Sequence, residues 1–418
     1  MAELRILFFA CSGAAAPAVI AGFARALERA GHTVKVADPA VAAEEKLFRA
    51  SNDLAQLLEG FDPHLAVLYA VPRAPHFYDA DGLFCLDVLS IPYVCLWYDN
   101  PFVYLQELSP VQREKLKNSP RALQCCSDTF YIEELRKNGF RQVEYLPLAA
   151  DPELFFPEGD VRGPGISESM EISFVGSIDD DPERLRQQRR KRWEKFPILN
   201  KTIDEMTGLS NGQSSLDMAH KISRLQEHLP GDVFAVFCRT VYEEAATFVR
   251  MQTVGALQEW PVAVYGGPGW QRLGQRVQWR GVVPYGEALR AVYCATRINL
   301  NITSPQLRGG ITQRLFDASA CGAFVLSDYR QDVRQLFGEA IVTYDDFADL
   351  RKKTAYFLTR ASERHAYAQQ AREKVMSRHT YAARAQALLA AAASILPLRE
   401  PVRRGAGNGA GTSVPQQH

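Results

Sequence analysis

The residues best suited to chemistry lie together at positions 299–337, NLNITSPQLRGGITQRLFDASACGAFVLSDYRQDVRQLF. Gly309 and Gly310 stand just before a helix expected over 312–320. A glycine pair lets the backbone approach a ligand closely. The helix start behind it offers unpaired N–H groups and a partial positive charge, a combination suited to an anionic group such as a diphosphate. Arg308 and Arg314 flank that start and add charge, while Thr312 and Gln313 on the first turn reach phosphate or sugar. Asp317, one turn further in, is a carboxylate for the hydroxyls of a ribose or sugar. The same residues also suit an ordinary helix start with Asp317 on a solvated face.

The elements that hold this group are legible around it. An apolar strand at 297–302 leads into the glycine turn, the helix ends at Gly322, and a second apolar strand follows at 323–327. Upstream, residues 4–11 (LRILFFAC) read as a central parallel strand buried on both faces. A turn through Gly13 follows, then a helix from Pro17 to about residue 30 and a strand at 32–37. The S-G-A-A-A string at this turn is not G-x-G-x-x-G, so a dinucleotide fingerprint is absent. Residues 42–59 are helix-like, and strands are expected at 65–70, 91–97, 122–126 and 142–148.

Strand 91–97 ends in Tyr98-Asp99-Asn100-Pro101, which places Asp99 beyond a carboxyl end, where ligands of open α/β sheets gather. The same residues suit an Asx turn closed by Pro101. Asp128 caps a helix over 129–138 and is a site residue only second.

A polar stretch at 158–170 reads as a linker between domains over 1–157 and 171–382. The second domain opens with a strand at 171–175 and the Gly176-Ser177 turn. A basic helix at 184–195 follows, read as a solvated face with one arginine able to reach a phosphate, and then a helical insert over 203–258. Strands at 261–265 and 277–280 carry a turn with Gly266 and Trp270 after the first. After a last strand at 340–344 the chain is helical, with a terminal helix over 383–396 and a tail over 397–418 whose composition predicts disorder.

At 418 residues and 47% hydrophobic content, the chain is long enough for two cores. Lys plus Arg equals Asp plus Glu at 48 each, so no global field argues for nucleic acid or an anionic membrane. Eight cysteines without a C-x-x-C pair read as reduced, buried thiols of a cytoplasmic protein. Neither these nor the eight histidines show metal-ligand spacing, and the D-x-D strings at Asp79–Asp81 and Asp179–Asp181 are discounted as metal sites. No run of about 18 uncharged apolar residues suggests a membrane span.

Asp317-Ala-Ser-Ala-Cys-Gly-Ala-Phe-Val resembles the E-A-x-A-x-G-x-P-V segment of GT-B glycosyltransferases. The longer run QRLFDASACGAFVLSDYRQDVRQLF resembles the CgeB group, the spore-maturation-protein-like glycosyltransferases of bacteria. The W-x-D-x-P string at 97–101, the words EYLPLAADPELFFP and His379-Thr-Tyr381 resemble the same group. The resemblance implies an α/β fold of two Rossmann-like lobes facing a central cleft, with C-terminal helices crossing back. It also implies transfer of a sugar, of hexosyl type, from a nucleotide diphosphate sugar to a hydroxyl acceptor, be it protein, polysaccharide or small molecule. On this reading Gly176, Ser177, Gly266, Trp270, Arg308, Gly309, Gly310, Thr312, Gln313, Arg314 and Asp317 line the donor site, with Trp270 either stacked on the base or packed in the lobe. Gly13, Asp99 and Asp128 face the acceptor. Asp99 orients or deprotonates the hydroxyl, and Arg314 meets the leaving diphosphate without a metal cofactor. Where many retaining members carry a first Glu, eight residues before the second, this chain has Gly309. A noncatalytic nucleotide- or sugar-binding protein and a nucleotide-sugar epimerase are the competing readings.

Overall fold

The computed structural model describes residues 2–9, 16–37, 58–70, 77–158, 170–178, 182–209 and 231–398. Gly13, most of the helix-like stretch 42–59, the Asp179–Asp181 string, nearly all of the linker, the middle of the insert and the tail from residue 399 lie outside the described residues.

Two six-stranded sheets, parallel throughout, form the two lobes. The first contains β1 (Arg5–Phe9), β2 (Thr33–Ala37), β3 (Leu65–Tyr69), β4 (Tyr93–Trp97), β5 (Ala122–Cys126) and β6 (Val143–Tyr145), in the order β2-β1-β3-β4-β5-β6. All five residues of β4 and of β5 are buried, which is why these strands read as apolar runs without alternation. The second contains β7 (Met170–Val175), β8 (Val262–Tyr265), β9 (Val277–Trp279), β10 (Thr296–Asn301), β11 (Val325–Asp328) and β12 (Val342–Tyr344), in the order β12-β11-β10-β7-β8-β9. Helices Pro101–Leu105, Pro110–Asn118 and Glu287–Cys294 were not anticipated, although Ser109 and Gln112 form a capping box at the second of them.

The basic helix, Pro182–Arg192, is largely exposed except at Arg189, whose guanidinium is buried against Asp204 at 2.5 Å. The expected insert contains helices Pro197–Leu209 and Gly231–Gly255. Their apolar faces enclose Val103 of the first lobe together with Trp193, Leu199, Phe237 and Tyr242, so the insert packs against the Pro101–Leu105 helix. Arg239 adds an ion pair to Glu107 at 2.6 Å.

The chain end returns to the first lobe. Helix Ala361–Arg378 packs against helix Gln313–Ala320, and at the break after it Ala150 N–H donates to His379 at 2.9 Å while Tyr381 N–H donates to Ala150 at 3.1 Å. Helix Tyr381–Ile395 then lies along helix Ala16–Arg29, with the Tyr381 ring 5.3 Å from that of Phe23. Arg384 Nε donates to the Pro147 carbonyl at 2.7 Å. Phe155, fully buried, sits edge-on to Tyr285 with centroids 5.1 Å apart, and one apolar cluster runs from β1 through it to helix Gln313–Ala320. Burying a side chain of that size contributes roughly 2–3 kcal/mol.

Candidate active site at the seam between the lobes

β7 and β10 are neighbours, so the Gly176-Ser177 turn and the stretch after Asn301 leave the second sheet at the same carboxyl edge. Helix Gln313–Ala320 starts there behind Thr312, whose extended backbone (φ −80°, ψ 155°) suits an N-cap. No side chain caps this helix. The Thr312 hydroxyl instead donates to Asn301 Oδ1 at 2.7 Å, so the first turn has no side-chain acceptor, and of its N–H groups Leu315 bonds the Thr312 carbonyl at 3.2 Å. Arg314 is fixed beneath the start. Its Nε donates to the Val175 carbonyl at 2.8 Å, Nη1 donates to Asn301 Oδ1 at 2.5 Å, and the guanidinium lies 4.9 Å from the centroid of the Phe174 ring. Nη2 lies 3.4 Å from where a Cβ on Gly176 would stand, so it points at the Gly176-Ser177 turn. Asn301, fully buried and bonded through Nδ2 to Ser327 Oγ at 2.9 Å, sets both partners yet carries no motif that sequence reading could use.

The Gly176-Ser177 turn is held on every side. Trp270 Nε1 donates to the Gly176 carbonyl at 2.8 Å, Arg250 Nη1 donates to the Ser177 carbonyl at 2.5 Å, and Gly267 N–H donates to Ser177 Oγ at 3.0 Å. Gly266, at φ 148°, packs so closely that a Cβ there would stand 2.5 Å from the Gly176 carbonyl oxygen. The stacking role for Trp270 is corrected by this arrangement. Trp270 is fully buried and edge-on to Phe174, with centroids 5.7 Å apart, and no ring face is open to a base.

Asp317 is also placed differently from the expected hydroxyl ligand or solvated face. It is 1% exposed, and its oxygens accept the Tyr285 hydroxyl at 2.8 Å and Gln313 Nε2 at 2.7 Å. Gln313 Nε2 also donates to the Ala149 carbonyl of the first lobe at 2.7 Å, so this amide joins the helix start to the hinge rather than facing a ligand. Burial pushes the Asp317 carboxyl up to about 8, against the two donated hydrogen bonds.

The glycine turn meets the first lobe. Asp128, at the carboxyl end of β5, accepts the N–H of Arg308 at 2.7 Å and of Gly309 at 3.1 Å, and caps its own helix Thr129–Lys137 through Phe130 N–H at 3.0 Å. Gly309, expected to line the donor site, thus gives its own N–H to a protein carboxylate. In return Asp332 of the second lobe accepts Thr129 N–H at 3.1 Å and the Thr129 hydroxyl at 2.5 Å. Asp332 is completely buried, and burial raises its carboxyl above the ordinary range despite the Thr129 bonds. Asp99 lies in the same seam, accepting Gln306 Nε2 at 2.6 Å and the Tyr104 hydroxyl at 3.1 Å. Burial raises its carboxyl too, against the Tyr104 bond. The Asx-turn role at this corner belongs to Asn100, whose Oδ1 accepts Phe102 N–H at 3.0 Å. Tyr131 adds a hydroxyl donated to the Gln306 carbonyl at 2.6 Å.

Arg308 is 9% exposed, with its guanidinium 4.4 Å from the centroid of Phe130 and neither Nη1 nor Nη2 hydrogen-bonded. Asp79 forms a turn, its Oδ1 accepting Asp81 N–H at 3.0 Å and Leu83 N–H at 2.8 Å. Among the described residues no group of three or more His, Cys, Asp and Glu could hold a metal ion, and no helix is long and apolar enough to cross a membrane.

Residues 248–390 match the family model described as glycosyl transferase-like. The chain superposes on a sucrose-phosphate synthase from Thermosynechococcus elongatus at a TM-score of 0.56 and 14% identity, covering 94% of this chain and 99% of that one. It superposes on Anabaena HepE, solved in complex with UDP and glucose, at 0.55 and 12%, covering 94% and 100%. The N-terminal domain of the Candida albicans trehalose-6-phosphate phosphatase follows at 0.53 and 11%, covering 94% and 97%. No curated protein matches the chain in sequence. The two parallel sheets, the returning terminal helix and these superpositions agree: the chain has the GT-B fold of glycosyltransferases, with a glycosyl transferase-like second lobe.

Proposed function

We propose that this protein transfers a sugar from a nucleotide diphosphate sugar, held at the carboxyl edge of the second sheet, to a hydroxyl acceptor presented by the first lobe. The observation that carries the reading is the uncapped start of helix Gln313–Ala320 with Arg314 fixed beside it and aimed at the Gly176-Ser177 turn. As the bond from the sugar C1 to the diphosphate breaks, its electron pair passes to the leaving phosphate and negative charge grows there. N–H groups and a guanidinium already in place stabilise that charge more in the transition state than in the ground state. These donors carry the charge without a divalent cation, so chelation is expected to leave the rate unchanged.

The new bond forms between the acceptor oxygen and C1. In an inverting course the hydroxyl proton goes to Asp99, whose raised pKa brings a carboxylate base nearer to neutral pH. In a retaining course Asp99 orients the acceptor and no dedicated base is needed. A hexosyl donor and membership of the CgeB group of bacterial transferases rest on the resemblance in residues 313–337, and a cytoplasmic location on the eight cysteines without a C-x-x-C pair. The role of Asp317 in this reading is to fix Gln313 and Tyr285 beneath the donor.

A thermal-shift comparison of UDP, GDP, ADP and dTDP on wild type and Arg314→Ala tests the donor site. A ligand at about 100 times its dissociation constant adds about 2.7 kcal/mol to stability. One diphosphate is expected to stabilise the wild type and not the variant, and stabilisation by none would overturn the assignment. Binding without transfer to any acceptor would favour the noncatalytic reading. Conversion of the nucleotide sugar with no acceptor present would favour an epimerase.

A further inference from the structure

We infer that the acceptor carries an oxyanion, a phosphate or a carboxylate, and that Arg308 is the residue that reads it. The inference rests on the transferase reading and deepens it. Among the described residues, three carboxylates beside the glycine turn are matched to uncharged donors: Asp99 to Gln306 and Tyr104, Asp128 to backbone N–H groups, and Asp332 to Thr129. The guanidinium of Arg308, buried beside them, feels the charges of Asp128 and Arg330 but among the described residues makes no hydrogen bond through Nη1 or Nη2. Arg308 is 9% exposed, yet Nη1 and Nη2 have no hydrogen-bond partner, and its contacts are the face of Phe130 and the neighbouring Tyr131 and Tyr242. The nearby hydroxyls are themselves engaged, Tyr131 donating to the Gln306 carbonyl and Tyr242 accepting from Asn100 Nδ2. A buried fork of N–H donors left unbonded in this way is complementary to a planar carboxylate or a phosphate, which reaches it as the seam between the lobes opens.

The geometry also separates this arginine from the donor diphosphate. Arg314 is bonded to Val175 and Asn301 and stacked on Phe174, all in the second lobe. Arg308 faces Phe130 and Tyr131 of the first lobe and Tyr242 of the insert. The two side chains share no bonding or stacking partner, so one serves each side of the seam. Asp128 stays bound to the backbone of the same turn and keeps Arg308 aimed across it.

The test is thermal stabilisation of the full chain by inorganic phosphate and, in a parallel series, by acetate, each with and without saturating UDP. The wild type is expected to gain a few degrees in Tm from one of the two anions, additively with UDP. A phosphorylated acceptor predicts the phosphate arm and a carboxylated one the acetate arm. Arg308→Gln, which keeps length and polarity, is expected to abolish the anion shift while keeping the UDP shift. Arg308→Lys is expected to weaken the anion shift several-fold, and Arg314→Gln to remove the UDP shift alone. The inference is overturned if neither anion stabilises the wild type, if the anion competes with UDP, or if Arg308→Gln leaves the anion shift intact. An Arg308-dependent anion shift with no UDP shift would instead sink the donor assignment and leave the anion site standing.

Discussion

Asp128 and Gly309 stand in different lobes, and the carboxylate of the first accepts the backbone N–H of the second at 3.1 Å. With the Arg308 N–H at 2.7 Å and the Phe130 N–H at 3.0 Å, one side chain satisfies three backbone donors that have no other partner. Replacing it leaves those donors buried and unpaired, and also removes a helix cap. Asp128→Ala is therefore expected to cost about 2 kcal/mol or more. Chemical denaturation measures the loss, and small-angle scattering should report a larger radius of gyration as the seam loosens. An unchanged radius together with unchanged stability would show that the seam does not depend on this residue.

Gly310 offers an independent approach to the same contact. A Cβ there would stand 3.0 Å from Asp128 Cβ and 3.1 Å from its Cγ and Oδ2. Gly310→Ala should push the lobes apart without altering any polar group. Combined with Asp128→Ala its effect should fall short of additive, because that substitution removes Cγ and Oδ2, two of the three crowded atoms, and leaves only Cβ at 3.0 Å. Additive losses by denaturation would place the strain elsewhere.

The buried carboxyls predict a pH dependence. Asp317, pushed up to about 8, holds its proton in the folded state well above the pH at which the unfolded chain releases it. The unfolded state then binds fewer protons than the folded one, so this group's contribution is complete below about pH 4 and declines as pH rises toward 8. The slope it adds reaches at most about 1.4 kcal/mol per pH unit. Asp317→Asn, which cannot ionise, should flatten the stability profile between those limits and leave the variant relatively more stable at the alkaline end. Parallel profiles for variant and wild type would refute a raised pKa at this site.

Trp270 is a further point of discrimination. Trp270→Phe keeps the aromatic contact with Phe174 but loses the hydrogen bond to the Gly176 carbonyl, a change expected to cost about 1 kcal/mol. It should weaken all nucleoside diphosphates by a similar factor, since it loosens the Gly176-Ser177 turn and touches no base. A selective loss for one base, seen in the ratio of UDP to GDP and ADP affinities, would restore the stacking role.

The strands were legible because parallel strands buried on both faces leave continuous apolar runs, as at LAVLY and YVCLW, and because Gly322 marks a helix end. The glycine turn and its helix were legible for the same local reasons. Partners drawn from distant parts of the chain were not. Nothing near Asp332 announces Thr129, nor does anything near Asp99 announce Gln306, 207 positions away. Asn301 and Arg250 carry no motif, whereas the Gly-Pro turn beside Trp270 already favoured packing in the lobe over stacking. Asp317 was found as a site residue but its burial was not, because a helical aspartate looks the same whether its neighbours in space are water, a ligand hydroxyl or Tyr285.

The return of the terminal helix to the first lobe has a consequence for biosynthesis. Arg384 meets Pro147 across 237 residues, and Tyr381 packs on Phe23. During translation the first sheet therefore emerges complete in its strands while helix Ala16–Arg29 still lacks its cover, and it waits for nearly the whole of the second lobe to be made. The first lobe expressed alone should display that uncovered apolar face and aggregate, whereas the same fragment co-expressed with residues 170–398 should be rescued. The two lobes divide the chemistry between them, but the order of synthesis makes the first a client of the last helix.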